Sequence, residues 1–207
     1  MTETVFSGTI LALDLASTTG WAFGPADPKA GKIICNSERL GRTGADNQDK
    51  FMALMRWLHD GLKTLQPTVV VYEAPVAVST MAGKTTVATT QLLFGLPAIV
   101  QVCCGFAKTP VRHATVSDVR QYWIGRRNMK GKDAKPEIRR QLVELGWSPP
   151  DLDASDALAL HRFYAAKLIP SLAVEASPLF KPAAKKPAKR PDPIRGAKVE
   201  DDGSILF

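Results

Sequence analysis

Cysteine is scarce in this sequence, and its placement excludes a disulfide framework. Of three cysteines in 207 residues, Cys35 stands alone and Cys103 and Cys104 are adjacent, where a bridge between them would be strained. No spacing resembles a zinc site. The three histidines, His59, His113 and His161, share no spacing that suggests metal ligation either. Long apolar runs are also missing. The most apolar stretch, LLFGLPAIVQVCC, is too short for a membrane span and is interrupted by Pro97 and Gln101. The opening MTETVFSG lacks the basic start and apolar core of a signal peptide. These absences predict a soluble, cytoplasmic protein that works without a membrane. No organic cofactor is expected. Lys84 in AGKTT ends like a phosphate-binding P-loop, but the pattern needs a glycine where Val78 stands.

Acidic residues are in deficit. Twenty Asp and Glu against 27 Lys and Arg leave a formal charge of +7 and an isoelectric point near 9.4. Such a surplus suits a polyanionic partner, either nucleic acid or an acidic membrane surface. Hydrophobic residues at 45% and charged residues at 23% are ordinary for a soluble globular chain. The length fits one domain with a real core plus an appendage.

Patterning along the chain predicts an α/β domain in the order β-β-β-α-β-α-β-α. TILALDLA is apolar and ends at a Ser-Thr-Thr-Gly turn, so it reads as a buried central strand. GWAFG and KIICNS follow as two strands joined by the turn PADPKAG, completing an antiparallel meander. From Asp46 to Gln66, Phe51, Leu54, Met55, Leu58, Leu62 and Leu65 recur at helical spacing, and Pro67 stops the helix. TVVVYEA is a second buried strand, ending in a glutamate. An apolar helix is expected from about Thr85 to Cys104 and a strand at PVRHAT. Ser117 is expected to cap the short helix SDVRQYWIG, and RRNMKGKD reads as a basic loop. Asp133 is expected to cap the next helix, with Pro136 in its first turn. DASDALALHRFYAAKLI is the last helix, ended by Pro170.

Beyond about Ser177 the chain turns Lys/Pro-rich and nearly devoid of large apolar residues, which predicts a disordered tail at 177–207. From Lys181 onward it holds seven basic and four acidic residues, three of the seven net positive charges.

The acids stand at special places. Asp14 lies in the first strand's apolar run, where a carboxylate is costly unless paired or bound to metal. Glu73 ends the second buried strand in the same way. Asp153 and Asp156, three apart at the start of the last helix, project from one face. Four carboxylates from separate segments can converge into a hard oxygen site suited to Mg²⁺ or Mn²⁺, with room for two ions in phosphodiester hydrolysis. Each acid also has a plainer role open to it. Asp153 can be a helix N-cap, Asp156 a first-turn charge on the helix dipole, Glu73 a salt-bridge partner and Asp14 a turn former. His161 follows the Asp pair by five residues, which leaves an approach to the site open.

These motifs carry a family resemblance. ILALDLASTTGWAFG resembles the first strand pair of RuvC Holliday junction resolvases, VVVYEAP their glutamate-bearing strand, and DLDASDALALHRFY their closing D-x-x-D helix. VSDVRQYWIG and GKDAKPEIRRQL resemble the family's basic segments near DNA. The similarity runs from about Thr9 to Tyr164. It implies an RNase H-like fold, a mixed five-stranded sheet flanked by helices, occupying residues 1–176. It implies a homodimer that nicks branched DNA, four-way junctions above all. Two Mg²⁺ ions per site, with Mn²⁺ as a substitute, would be held by the catalytic carboxylates Asp14, Glu73, Asp153 and Asp156. Arg120 and Lys135 occupy places where the family keeps functional lysines. Two departures stand out. Val76 takes a position often held by an aromatic wedge, and a few extra residues lie between Gly125 and Lys132.

From Arg120 to Arg140, Arg120, Arg126, Arg127, Lys130, Lys132, Lys135, Arg139 and Arg140 outnumber the acids Asp133 and Glu137, eight to two. Such a local excess suits sequence-independent contact with phosphates, with Arg126, Arg127, Lys130 and Lys132 on the glycine-containing loop its best candidates. Arg139 and Arg140 read equally as a solvated helix face. The apolar helix is expected to mediate the dimer through its outer side, or else to pack wholly inside the monomer. Other functions remain open on these residues. They are an RNase H-like nuclease for flaps, forks or RNA, an actin-like or sugar-kinase-type phosphotransferase, and a catalytically silent DNA-binding module. The phosphotransferase would need a second domain and a D-x-G-x-T turn, which the sequence lacks.

Overall fold

A computed structural model describes residues 6–75 and 86–172. Val76, Lys84 and the tail at 177–207 lie outside the described residues, as do the expectations attached to them.

Strands β1 (Thr9–Asp14), β2 (Thr18–Pro25) and β3 (Ile34–Arg39) form the antiparallel meander. Helix α1 (Asn47–Leu65) then leads to β4 (Val69–Glu73), which pairs parallel with β1. Helix α2 (Val87–Phe106) leads to β5 (Val111–Ala114), parallel with β4, and the sheet order is β3-β2-β1-β4-β5. Helices α3 (Val116–Ile124), α4 (Gly131–Glu144) and α5 (Leu152–Leu168) follow.

The strand period of two sorts the core. Ile10, Ala12, Val69 and Val71 face α3, α4 and α5, where Val119, Trp123, Ile138, Leu142, Leu158 and Leu160 pack. Leu11, Leu13, Val70 and Tyr72 face α1 and α2, meeting Leu54, Leu58, Leu62, Leu92, Leu96 and Val100. This explains why β1 and β4 read as unbroken apolar runs: both their faces are covered. Each fully buried Leu or Ile contributes about 1.5–3 kcal/mol relative to exposure.

Several boundaries differ from expectation. The turn after β1 is shorter than Ser-Thr-Thr-Gly, because Thr18 already opens β2. Thr115, not Ser117, caps α3, its hydroxyl accepting from the Asp118 amide at 3.1 Å. Asp133 does not cap α4. The helix begins at Gly131 with Lys130 at the N-cap position, so Asp133 is a first-turn charge and Lys132 belongs to the helix rather than the loop. Asp151, not Asp153, caps α5, accepting from the Ala154 amide at 2.8 Å.

Helix α2 runs two residues past Cys104 and through Pro97. With 20 residues and a mean hydropathy of 1.6 it is long and apolar enough to cross a membrane, which corrects the shorter run read from the sequence. Its inner side closes the core through Leu92, Leu96, Val100, Cys103 and Cys104, and Phe51 of α1 lies against Gly95. Its outer side leaves Val87, Phe94, Val102 and Phe106 exposed. The three cysteines are free thiols, Cys103 and Cys104 buried.

Candidate active site

Leu13 pairs with Tyr72 across the parallel β1–β4 ladder, so the next residues, Asp14 and Glu73, end side by side. They stand at the carboxyl ends of the central strands, the place where open α/β sheets form their ligand crevice. The first turns of α5 bring Asp153 and Asp156 over this edge. What permits the approach is Gly20 of β2, the partner of Asp14 in the antiparallel register. A Cβ at Gly20 would lie 1.9 Å from the carbonyl oxygen of Asp153 and 2.4 Å from its carbon. The missing side chain is the space that the helix backbone occupies.

From the other side α4 supplies Lys135. Its ammonium pairs with Asp156 and stands 3.9 Å from Asp14 Oδ2 and 4.0 Å from Asp153 Oδ1. A cavity of about 240 Å³ opens beside it, lined by Asp14, Glu73, Asp153, Lys135 and apolar neighbours that include Leu15, Pro75 and Val116. Behind it lies a small hollow of about 30 Å³ bounded by Glu73, Arg120, Lys135 and Asp156. Arg120 donates to the Met129 carbonyl at 2.8 Å, tying the basic loop to the site.

Burial, joined by the crowding of like charges, shifts Asp14, Glu73 and Asp156. Burial, then the charge of Asp156, raises Asp14 to about 7 against the pull of Lys135. Burial, then Asp14 and Asp156, raises Glu73 to about 8, with Lys135 and Arg120 opposing. Burial also raises Asp156 despite its bond to Lys135. Burial works against the charge of Lys135, yet Asp156, Asp14 and Asp153 together hold its pKa above the ordinary value. The cluster therefore calls for positive charge.

The donor set fits a hard divalent cation, being all carboxylate oxygen with three acids that resist ionisation unless a cation lies among them. Among the described residues no three His, Cys, Asp or Glu side chains are drawn close enough to hold a metal as they stand. The Lys135 ammonium stands among Asp14, Asp153 and Asp156.

All four predicted acids thus converge, with Lys135 paired among them and Arg120 lining the hollow beside Glu73 and Asp156. The plainer roles for Asp153 and Asp156 fall away, since Asp151 takes the cap and Asp156 faces Lys135. Arg126, Arg127, Lys130 and Lys132 are exposed and apart from the acids, and Arg127 reaches Asp118 at 3.6 Å. Arg140 pairs with Glu137 and Glu144 on the solvated face, as one reading expected. Arg139 does not: it donates to the carbonyls of Pro149 and Pro150, at 3.1 and 3.4 Å. His161 also lies elsewhere. It is wholly buried, its Nε2 3.2 Å from the Gly24 carbonyl, and burial lowers its pKa to about 4. A larger hollow of about 450 Å³, lined by His59, Lys63, Gln66 and Phe106, lies at the opposite end of the sheet and holds no carboxylate cluster.

Sequence reasoning missed Gly20, Ser37, Arg139 and Asp151. Asp151 accepts from Ala154 through Oδ1 and from the Ser37 hydroxyl through Oδ2, at 2.8 and 2.6 Å. Burial opposes its charge, but these bonds outweigh burial and hold its carboxyl below the usual range. The D-x-D-x-x-D run was a visible signal that one acid differs in duty, though not which.

No protein-family model matches the chain, and no curated protein matches it. Solved structures do. Thermus thermophilus RuvC matches with a TM-score of 0.56 at 15% identity, covering 77% of this chain and 96% of that one. T. thermophilus RuvC in complex with Holliday junction substrate matches at 0.59 and 15%, covering 80% and 97%. The yeast mitochondrial Holliday junction resolvase Ydc2 matches at 0.58 and 14%, covering 83% and 82%. The likeness shows the fold alone: an α/β, RNase H-like fold with a mixed five-stranded sheet.

Proposed function

We propose that this protein is a divalent-cation-dependent endonuclease that nicks branched DNA, with symmetric resolution of four-way junctions as its main activity. The observation that carries this reading is the convergence of Asp14, Glu73, Asp153 and Asp156 around one cationic point at the carboxyl edge of β1 and β4. The solved structures that share the fold, one of them bound to a Holliday junction, supply the substrate class.

The four acids would hold two Mg²⁺ ions, or Mn²⁺ in their place. The chemistry such ions supply is activation of water and neutralisation of charge on the leaving oxygen. Asp14 and Glu73 anchor the site to the sheet, and Asp153 and Asp156 bring the charge of a helix start against it. Lys135 and Arg120 neutralise surplus negative charge and face an approaching phosphate. Arg126, Arg127, Lys130 and Lys132 extend that positive surface along a backbone, supplying affinity without sequence preference. Two matching nicks require two sites related by a twofold axis, and the exposed stripe of Val87, Phe94 and Val102 on α2 is the surface on which a second copy would pack.

The test is a panel of four-way junction, fork, flap, duplex and RNA substrates with Mg²⁺. Paired, symmetric nicks in the junction are expected. Asp14→Asn, Glu73→Gln and Asp156→Asn should each abolish cleavage and leave junction binding within about threefold of wild type, because affinity resides in basic residues. Cleavage of forks, flaps or RNA in preference to junctions would replace the substrate. Near-normal cleavage by any one variant would remove that acid from the site.

A further inference from the structure

We propose that Ser37, Asp151 and Arg139 form a positioning clamp on the first turn of α5, which sets where Asp153 and Asp156 stand relative to Asp14 and Glu73. The proposal rests on the site reading above, and the clamp itself lies outside the four acids and two bases of that reading.

Asp151 is two residues from Asp153, yet both its oxygens are committed elsewhere. Oδ1 accepts from the Ala154 amide at 2.8 Å and Oδ2 accepts from the Ser37 hydroxyl at 2.6 Å. Ser37 lies on β3, the edge strand two places from β1, so this bond fastens the helix end to a different strand from the one bearing Asp14. Arg139 fastens the same end from the helical layer, donating to Pro149 and Pro150 in the turn that enters α5. It stands four residues beyond Lys135 on α4, so both project from one face of that helix. One helix therefore meets the carboxylates through Lys135 and their supporting turn through Arg139. Between these supports sits Asp153, whose side chain is 37% exposed against 17% for Asp14 and 12% for Asp156. Its position depends most on where the helix begins. A helix end that loses its cap frays through its first turn, and Asp153 lies in that turn.

The proposal separates shape from charge, and substitution at Asp151 can do the same. Asn at this position keeps an oxygen for the Ala154 amide, and the Ser37 hydroxyl can rotate to accept from the new amide group. Ala keeps neither bond.

The experiment compares Ser37→Ala, Ser37→Thr, Arg139→Gln, Asp151→Ala and Asp151→Asn in the full chain. Three quantities are measured: Mn²⁺ affinity by electron paramagnetic resonance titration, kcat and KM on a four-way junction, and thermal midpoint. Ser37→Ala, Arg139→Gln and Asp151→Ala are expected to weaken Mn²⁺ binding and lower kcat on the order of 10- to 100-fold, with KM for DNA unchanged. Ser37→Thr and Asp151→Asn should stay within about threefold of wild type, because they preserve the bonds. Asp151→Asn as impaired as Asp151→Ala would show that the charge matters and overturn the clamp in favour of a fifth acid of the site. Wild-type Mn²⁺ affinity and kcat in Ser37→Ala would overturn it too, as would losses that merely track a fall in thermal midpoint and in DNA affinity. If the wild type cleaves no DNA while Ser37→Ala still loses Mn²⁺ affinity, the clamp stands and the nuclease reading falls. A wild type that binds no Mn²⁺ overturns both.

Discussion

Replacing Gly20 with alanine adds one methyl group at the point where strand and helix meet beneath the carboxylates. The new Cβ would lie 1.9 Å from the Asp153 carbonyl oxygen, 2.4 Å from its carbon and 3.1 Å from the Ala154 amide nitrogen. Ordinary contact begins near 3.4 Å, so the two backbones must part by roughly 1.5 Å. No flexible side chain can give way, since every atom in the clash is main chain. Overpacking of this kind costs about 1–3 kcal/mol of stability. The functional cost is expected to be larger in proportion. Gly20 is the ladder partner of Asp14, so the displacement falls between Asp14 and the pair Asp153 and Asp156. A misplacement of about 1 Å among reacting groups can lower a rate on the order of a hundredfold. Junction cleavage under single-turnover conditions, with binding measured separately and unfolding followed by heat, resolves the two effects. A cleavage rate down about a hundredfold, with junction affinity kept, is the expected result. A Gly20→Ala protein that cleaves at the wild-type rate with an unchanged thermal midpoint would refute the packing argument.

His161 should subtract stability in acid, against the opposite contribution of Asp14 and Glu73, whose raised pKa values favour the folded chain as they take up protons. Its folded pKa of about 4 lies below the ordinary 6.5, so above pH 6.5 both states are neutral and the residue contributes nothing to the pH dependence. Below pH 6.5 the unfolded chain takes a proton that the buried ring refuses, and about 3 kcal/mol is lost by pH 4. Urea unfolding across this range should show wild type losing that much stability relative to His161→Gln between pH 6.5 and pH 4, and parallel pH profiles for the two proteins would contradict the assignment. Alanine at Arg126, Arg127, Lys130 and Lys132 should weaken all DNA shapes alike and flatten the plot of log affinity against log salt by roughly one unit per lost phosphate contact. Lost junction selectivity at an unchanged salt slope would mean instead that the loop reads branch geometry. Asp at Phe94 and Val102 should yield a monomer in sedimentation, and a wild type that is itself monomeric at micromolar concentration would dismiss the α2 interface.

Local chemistry made much of this protein legible before any fold was known. The unbroken apolar runs of β1 and β4 announced strands covered on both faces, and an acid within the first run and at the end of the second was conspicuous because burial there is costly, although only the fold ends β1 at Asp14. The helical spacing of Phe51, Leu54, Met55, Leu58, Leu62 and Leu65 placed α1 almost to the residue. Caps were harder. Thr115 and Ser117, or Asp151 and Asp153, are each able to cap, and the choice depends on where the chain leaves the preceding turn. That is a tertiary matter. The same holds for the site's supports. Ser37 reaches Asp151 across 114 positions of sequence, Gly20 matters only because a helix backbone fills the space beside it, and Lys135 meets three acids from two elements. Periodicity and propensity act over a turn or two of chain and so are written into the sequence. Convergence of distant groups is a product of sheet order and helix packing, which only the folded chain fixes.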